Sequence, residues 1–93
     1  MFVVVRQYEG ASSLAEAMVE RTDEIKELLT GVEGFVAYYA ARDGEAVTTV
    51  SVCNDRAGAD ETTRRAAAWV QENLPGSTIS PPRVGTGEAF LSF

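Results

Sequence analysis

Arg6 and Tyr8 stand two residues apart in a β-branched run, so both side chains fall on one face of any strand formed there. A guanidinium beside a phenol could hold a carboxylate or a phenolate. The pair could equally fill a seam, with Arg6 bound to Glu88 of a neighbouring strand. Trp69 could wall an aromatic pocket, or pack at the edge of a core-facing helix with its indole N–H near a loop carbonyl. Asn54 could orient a substrate oxygen, but an Asn before Asp-Arg reads first as a cap or turn residue. Cys53 has no histidine to activate it and only Arg56 as a nearby positive charge, so it reads as an inert, partly buried thiol. The pairs Asp60-Glu61 and Glu24-Glu27 fall on helix faces that should be wet, as solubilising charge. Without histidine or a second cysteine, no metal site is expected.

Ninety-three residues make one domain, residues 1–93, with a small core. Its net charge of -6 argues against nucleic acid and anionic membranes as partners. A lone cysteine rules out an intrachain disulfide and points to a reducing cytoplasm. The N-terminus lacks a basic leader and cleavage-site pattern, and no stretch approaches membrane-spanning length.

The elements that must position these residues follow from periodicity. Phe2 to Tyr8 is a strand. Ser13 and Glu16 form a capping box opening one helix, whose apolar face is Leu14, Met18, Ile25, Leu28, Leu29 and Val32, and Gly31 is its left-handed C-cap. Phe35 to Ala41 and Ala46 to Cys53 are strands joined by an Asp43-Gly44 hairpin turn. A second helix runs from Asn54 and Asp55 to about Leu74, with Ala59, Ala66, Val70 and Leu74 inward and Ala67 and Trp69 flanking, and ends at Pro75-Gly76. Ser77 to Arg83 is a loop, and Val84 to Phe93 is the last strand, bulged at Gly85 or Gly87. This βαββαβ order predicts a ferredoxin-like α+β sandwich: a four-stranded antiparallel sheet of order 4-1-3-2 with two helices on one face.

Sorting strand residues by polarity gives a dry set containing Val3, Val5, Phe35, Ala37, Tyr39, Val50 and Val52, assigned to the helix side. A mixed set containing Phe2, Val4, Arg6, Tyr8, Val36, Tyr38, Thr49, Ser51 and Phe90 is assigned to the open side. That open face carries enough apolar surface to need a cover, and a second copy of the chain is the simplest one. Val4→Asp should then break the dimer. Arg6, Tyr8 and Ser51 would pair across the seam or line a cavity between sheet and helices.

With the Phe2-to-Tyr8 strand, the Gly31-Val32-Glu33-Gly34-Phe35 link, the Val50-Ser51-Val52-Cys53-Asn54-Asp55 strand end and the helix bearing Trp69, nearly the whole chain resembles the dimeric α+β barrel superfamily. Its best-known members are the antibiotic biosynthesis monooxygenase (ABM) domains. The resemblance implies a homodimeric barrel joined through the open sheet face. It also implies cofactor-independent oxygenation of a hydrophobic or aromatic small molecule held between sheet and helices. Haem degradation, which in such relatives uses a histidine ligand, is set aside because this chain has none. Oxygenases of the superfamily use Asn, Trp, Tyr and Arg side chains around the cavity. Here the matching types are Asn54, Trp69, Tyr38 and Arg6, of which only Asn54 and Trp69 sit in comparable elements. The pocket expected is lined by Arg6, Tyr8, Tyr38, Ser51, Asn54 and Trp69 and needs neither metal nor cofactor. The alternative is a non-catalytic dimeric module that binds a small ligand or assembles with a partner.

Overall fold

The structure, a computed structural model, describes residues 1–74 and 79–93. The strands are β1 (Phe2–Tyr8), β2 (Phe35–Asp43), β3 (Ala46–Cys53) and β4 (Arg83–Glu88). The helices are α1 (Ser12–Glu20), α2 (Thr22–Thr30) and α3 (Arg56–Asn73). All neighbouring strands are antiparallel, in the order β2-β3-β1-β4, which is the predicted ferredoxin-like topology. The helix stop assigned to Pro75-Gly76 and the start of the loop after it lie outside the described residues.

The first helical stretch is two helices, not one. At Arg21 the backbone leaves the α region (φ -117°, ψ 35°). The Thr22 hydroxyl donates to the carbonyls of Val19 (2.9 Å) and Met18 (3.2 Å), so it competes with the helix ladder at the break. No capping box forms. The N-cap is Ala11, without a side-chain cap, and its amide is tied to Glu45 O at 2.7 Å. Gly31 closes α2 in a right-handed conformation (φ -74°), and the left-handed turn falls instead at Gly34 (φ +83°). Arg65 explains the difference: its Nη1 donates to Leu28 O at 2.8 Å, giving the last turn of α2 an outside partner.

α3 begins at Asp55, whose carboxylate accepts from the Gly58 amide at 2.8 Å. Of its expected inward face, Ala59 is buried and Val70 and Leu74 pack on the core. Thr62 and Trp69 are buried with Ala59, whereas Ala67 is exposed. The last strand stops at Glu88, which faces Phe2, the first residue of β1. Past the Ala89 amide, which donates to Met1 O at 2.8 Å, the neighbour has run out, and Phe90, Leu91 and Phe93 are exposed. The register shift sits in β2, not β4. Phe35 faces Cys53 and Ala37 faces Val52, so Val36 is an extra residue. Because of that bulge, both Phe35 and Tyr38 reach the helix side.

Apart from Phe35, which lies on the helix side as sorted, the two sheet faces are the reverse of the polarity sorting. Val4, Arg6 and Tyr8, paired with Ser51, Thr49 and Val47, point under the helices and are buried. Val3 and Val5, paired with Val52 and Val50, lie half-buried on the open face beside Ala37 and Tyr39, and Tyr39 is 64% exposed. The sorting assumed a dry interior, and this interior contains a charge with hydroxyls around it. Val4→Asp would therefore strike the core. The residue that probes the open face is Val5.

Candidate functional site

Arg6 is the centre of the interior. Antiparallel register sets Thr49 opposite it and Ser51 one pair away on the same face, while α3 lays Thr62 and Thr63 across the top. Nε donates to Thr49 Oγ1 (3.2 Å) and Nη2 to Ser51 Oγ (2.6 Å). Nη1 donates to Thr63 Oγ1 (2.8 Å) and, at the long limit, to Thr62 Oγ1 (3.5 Å). The Thr62 hydroxyl donates in turn to Ala59 O at 2.7 Å. Arg6 is 1% exposed, yet among the described residues no carboxylate pairs with it. Glu88 faces Phe2 whereas Val84 faces Arg6, so the Arg6–Glu88 pair weighed above does not form.

Tyr8 and Tyr38 flank this cation. Burial pushes both phenols above their ordinary value, and the positive charge of Arg6 works against that rise. Burial in turn lowers Arg6, against the influence of Tyr38 and Tyr8. A phenol is protonated at neutral pH at its ordinary value, and burial extends that range further into alkali. The buried Cys53 thiol is also pushed up, by desolvation and then by Asp55, which keeps it unreactive.

Three spaces surround the group. A small pocket of about 30 Å³, roughly one water's share of liquid volume, lies between Tyr8, Tyr38, Thr49 and Trp69. It shares Met18, Ile25, Leu29 and Tyr38 with a cleft of about 450 Å³ that opens between α1, α2 and the edge strand β2. At the other edge of the sheet, a pocket of about 210 Å³ runs between α3 and residues 79–82, with Arg6 and Tyr8 in its wall.

The six residues singled out from the sequence thus fall into three groups. Tyr8, Tyr38 and Trp69 meet at the small pocket. Arg6 and Ser51 sit together in the hydroxyl cage. Asn54 is exposed at the end of β3, where its amide donates to Gly34 O at 2.8 Å, and it lines none of the three spaces. Asp55, not Asn54, caps α3. The Trp69 indole N–H donates to Glu24 Oε1 of α2 at 3.0 Å, rather than to a loop carbonyl. Sequence reasoning missed Thr49, Thr62 and Thr63. Thr49 has the parity of Arg6, and Thr62-Thr63 interrupts an alanine-rich helix, so a signal was there. Among the described residues, no group of three or more Cys, Asp or Glu side chains could hold a metal ion.

No protein-family model and no curated protein matches the chain. Solved structures do. NE2512 from Nitrosomonas europaea, a protein of unknown function, is 20% identical with a TM-score of 0.73, over 99% of this chain and 91% of that one. The monooxygenase ActVA-Orf6 of Streptomyces coelicolor, in complex with nanaomycin D, is 18% identical with a TM-score of 0.69, over 99% and 89%. SnoaB from Streptomyces nogalater, a cofactor-independent oxygenase, is 16% identical with a TM-score of 0.65, over 98% and 94%. The helix-roofed antiparallel sheet described above is therefore the fold of the antibiotic biosynthesis monooxygenase-type structures.

Proposed function

We propose that this chain binds a hydrophobic or aromatic small molecule in the cleft between α1, α2 and β2 and oxygenates it without a cofactor. The observation that carries the reading is the cleft of about 450 Å³, walled by Met18, Ile25, Leu29 and Phe35, with Tyr38 at its inner end. That volume suits an organic molecule of a few fused rings. Likeness of fold to a cofactor-independent oxygenase and to a monooxygenase holding nanaomycin D supports the same substrate class.

In such chemistry the substrate supplies the electrons. An activated ring CH₂ flanked by aryl groups loses a proton to become an electron-rich anion. The anion passes one electron to O₂, the radicals combine at carbon, and loss of water leaves a carbonyl. The balance is CH₂ + O₂ → C=O + H₂O. Tyr38, protonated at neutral pH as any phenol is, donates to the substrate oxygen on which the negative charge gathers. Arg6, behind Thr49, favours that anion through its field. We further propose that the working unit is a homodimer, in which a second copy covers the open face of Val3, Val5, Val50 and Val52.

One observation favours the non-catalytic alternative. The N–H groups of Arg6 are mostly engaged by hydroxyls and that of Trp69 by Glu24, which suits a rigid binding pocket. Oxygen uptake separates the two readings. With a hydroxylated anthrone, the oxygenase reading expects consumption of one O₂ per carbonyl formed, slowed about a hundredfold by Tyr38→Phe. Binding of the anthrone seen by native mass spectrometry, without oxygen uptake, would leave the binding module. Failure to bind would end both.

A further inference from the structure

The small pocket beside Tyr38 is too narrow for an aromatic molecule, yet it adjoins the cleft proposed to hold one. We infer that this pocket is where dioxygen sits during the oxygenation, an inference that rests on the proposed reading of the cleft.

A space of about 30 Å³ fits a diatomic molecule and nothing with a ring. Met18, Ile25, Leu29 and Tyr38 border both the pocket and the cleft, so a molecule in the one stands against the inner end of the other. The remaining walls are mostly hydrocarbon, from Leu14, Leu28, Ala66 and Val70. Dioxygen is apolar, and its transfer from water into such surroundings is favourable. Water is served less well, because it needs roughly two to four polar partners. Thr49 already accepts from Arg6 at 3.2 Å, and the Trp69 indole N–H is taken by Glu24 at 3.0 Å.

The charge behind the pocket suits the product of the first electron transfer. One electron from the substrate anion turns O₂ into superoxide, so a neutral ligand becomes an anion where it sits. The C–O bond then forms between superoxide and the substrate radical. The peroxide takes up the proton first removed from the ring, and the outer oxygen leaves as water with the second ring hydrogen. Thr49 forms part of the pocket wall, and behind its hydroxyl stands the Arg6 guanidinium, which no carboxylate among the described residues neutralises. A positive charge acting through so apolar a medium favours superoxide over O₂. It does so by its field alone, without a bond from Arg6 to the oxygen.

Dissolved O₂ is paramagnetic and speeds the relaxation of methyl groups close to it. Methyl NMR of the intact protein under oxygen pressure therefore tests the site without turnover. Leu14 and Ala66 border the pocket but not the cleft, and Val19 borders the cleft but not the pocket. Although Leu14 is 2% exposed and Val19 77%, the methyls of Leu14 and Ala66 should show the larger oxygen effect. Ala66→Val enlarges a wall residue of the pocket and should abolish the excess at Leu14. In the oxygen-uptake assay the same variant should raise the KM for O₂ about tenfold, with the affinity for anthrone unchanged. The native chain's relaxation decides the matter even if this variant fails to fold. Ala40→Trp, in the cleft wall on β2, should weaken anthrone binding and leave the oxygen effect at Leu14 as it was. An oxygen effect at Leu14 in a chain that leaves anthrone unoxidised would sink the oxygenase reading while the affinity of the pocket for O₂ stood. Leu14 methyls that relax no faster than those of Val19, a long-lived water detected beside them, or an unchanged KM for O₂ in Ala66→Val would overturn the assignment.

Discussion

Replacing Arg6 by methionine removes the guanidinium and keeps an unbranched apolar stem. Two opposing effects decide the outcome. Burying a guanidinium costs several kcal/mol even after the surroundings relax. Against this stand four hydrogen bonds from a charged donor, each contributing roughly 1.5–3 kcal/mol, the 3.5 Å contact to Thr62 the least. Removing the donor also takes a partner from the buried hydroxyls of Thr49 and Ser51, whereas Thr62 keeps its bond to Ala59 O. We therefore expect Arg6→Met to be less stable than the native chain by about 2–4 kcal/mol. For a domain of this size that is a fall in Tm of roughly 8–32 °C. Urea denaturation followed by the fluorescence of Trp69, the sole tryptophan, measures it directly. A variant as stable as the native chain or more so would show that desolvation of the guanidinium outweighs its hydroxyl cage.

Alkali should destabilise the fold. Tyr8 and Tyr38 are raised from 10.0 and Cys53 from 9.0, so the native state keeps protons that the unfolded chain has released. Their contribution is complete below the ordinary values and is lost as pH climbs through the shifted ones. The urea midpoint should fall above about pH 9, and less steeply in Tyr38→Phe; a flat profile would contradict the burial of these groups. Val5→Asp sets a carboxylate on the open sheet face and should convert a sedimenting dimer to monomer without unfolding it. A native chain that sediments as a monomer at micromolar concentration would refute the covered face.

Local patterns in the chain were enough to define the ferredoxin-like order and a tight hairpin between β2 and β3, because strand alternation, helix periodicity and turn chemistry act over a few neighbouring residues; the turn itself is Gly44-Glu45 rather than Asp43-Gly44, since Asp43 still pairs with Ala46 and Gly44 takes the positive φ. They were enough, too, to raise Arg6, Tyr8, Tyr38 and Trp69 as chemically telling. Which face of the sheet turns inward was decided only in three dimensions. Alternation separates two faces but does not say which one the helices cover. Polarity misled because Thr49 and Ser51 of β3 and Thr62 and Thr63 of α3 together make a polar interior acceptable around Arg6 of β1. The extra residue Val36 and the hold of Arg65 on the end of α2 likewise depend on partners distant in the chain or on packing against the sheet. The site itself is of that kind. Its cation comes from β1, its hydroxyls from β3 and α3 and its cleft from α1, α2 and β2, so only their assembly sets a charge between two cavities.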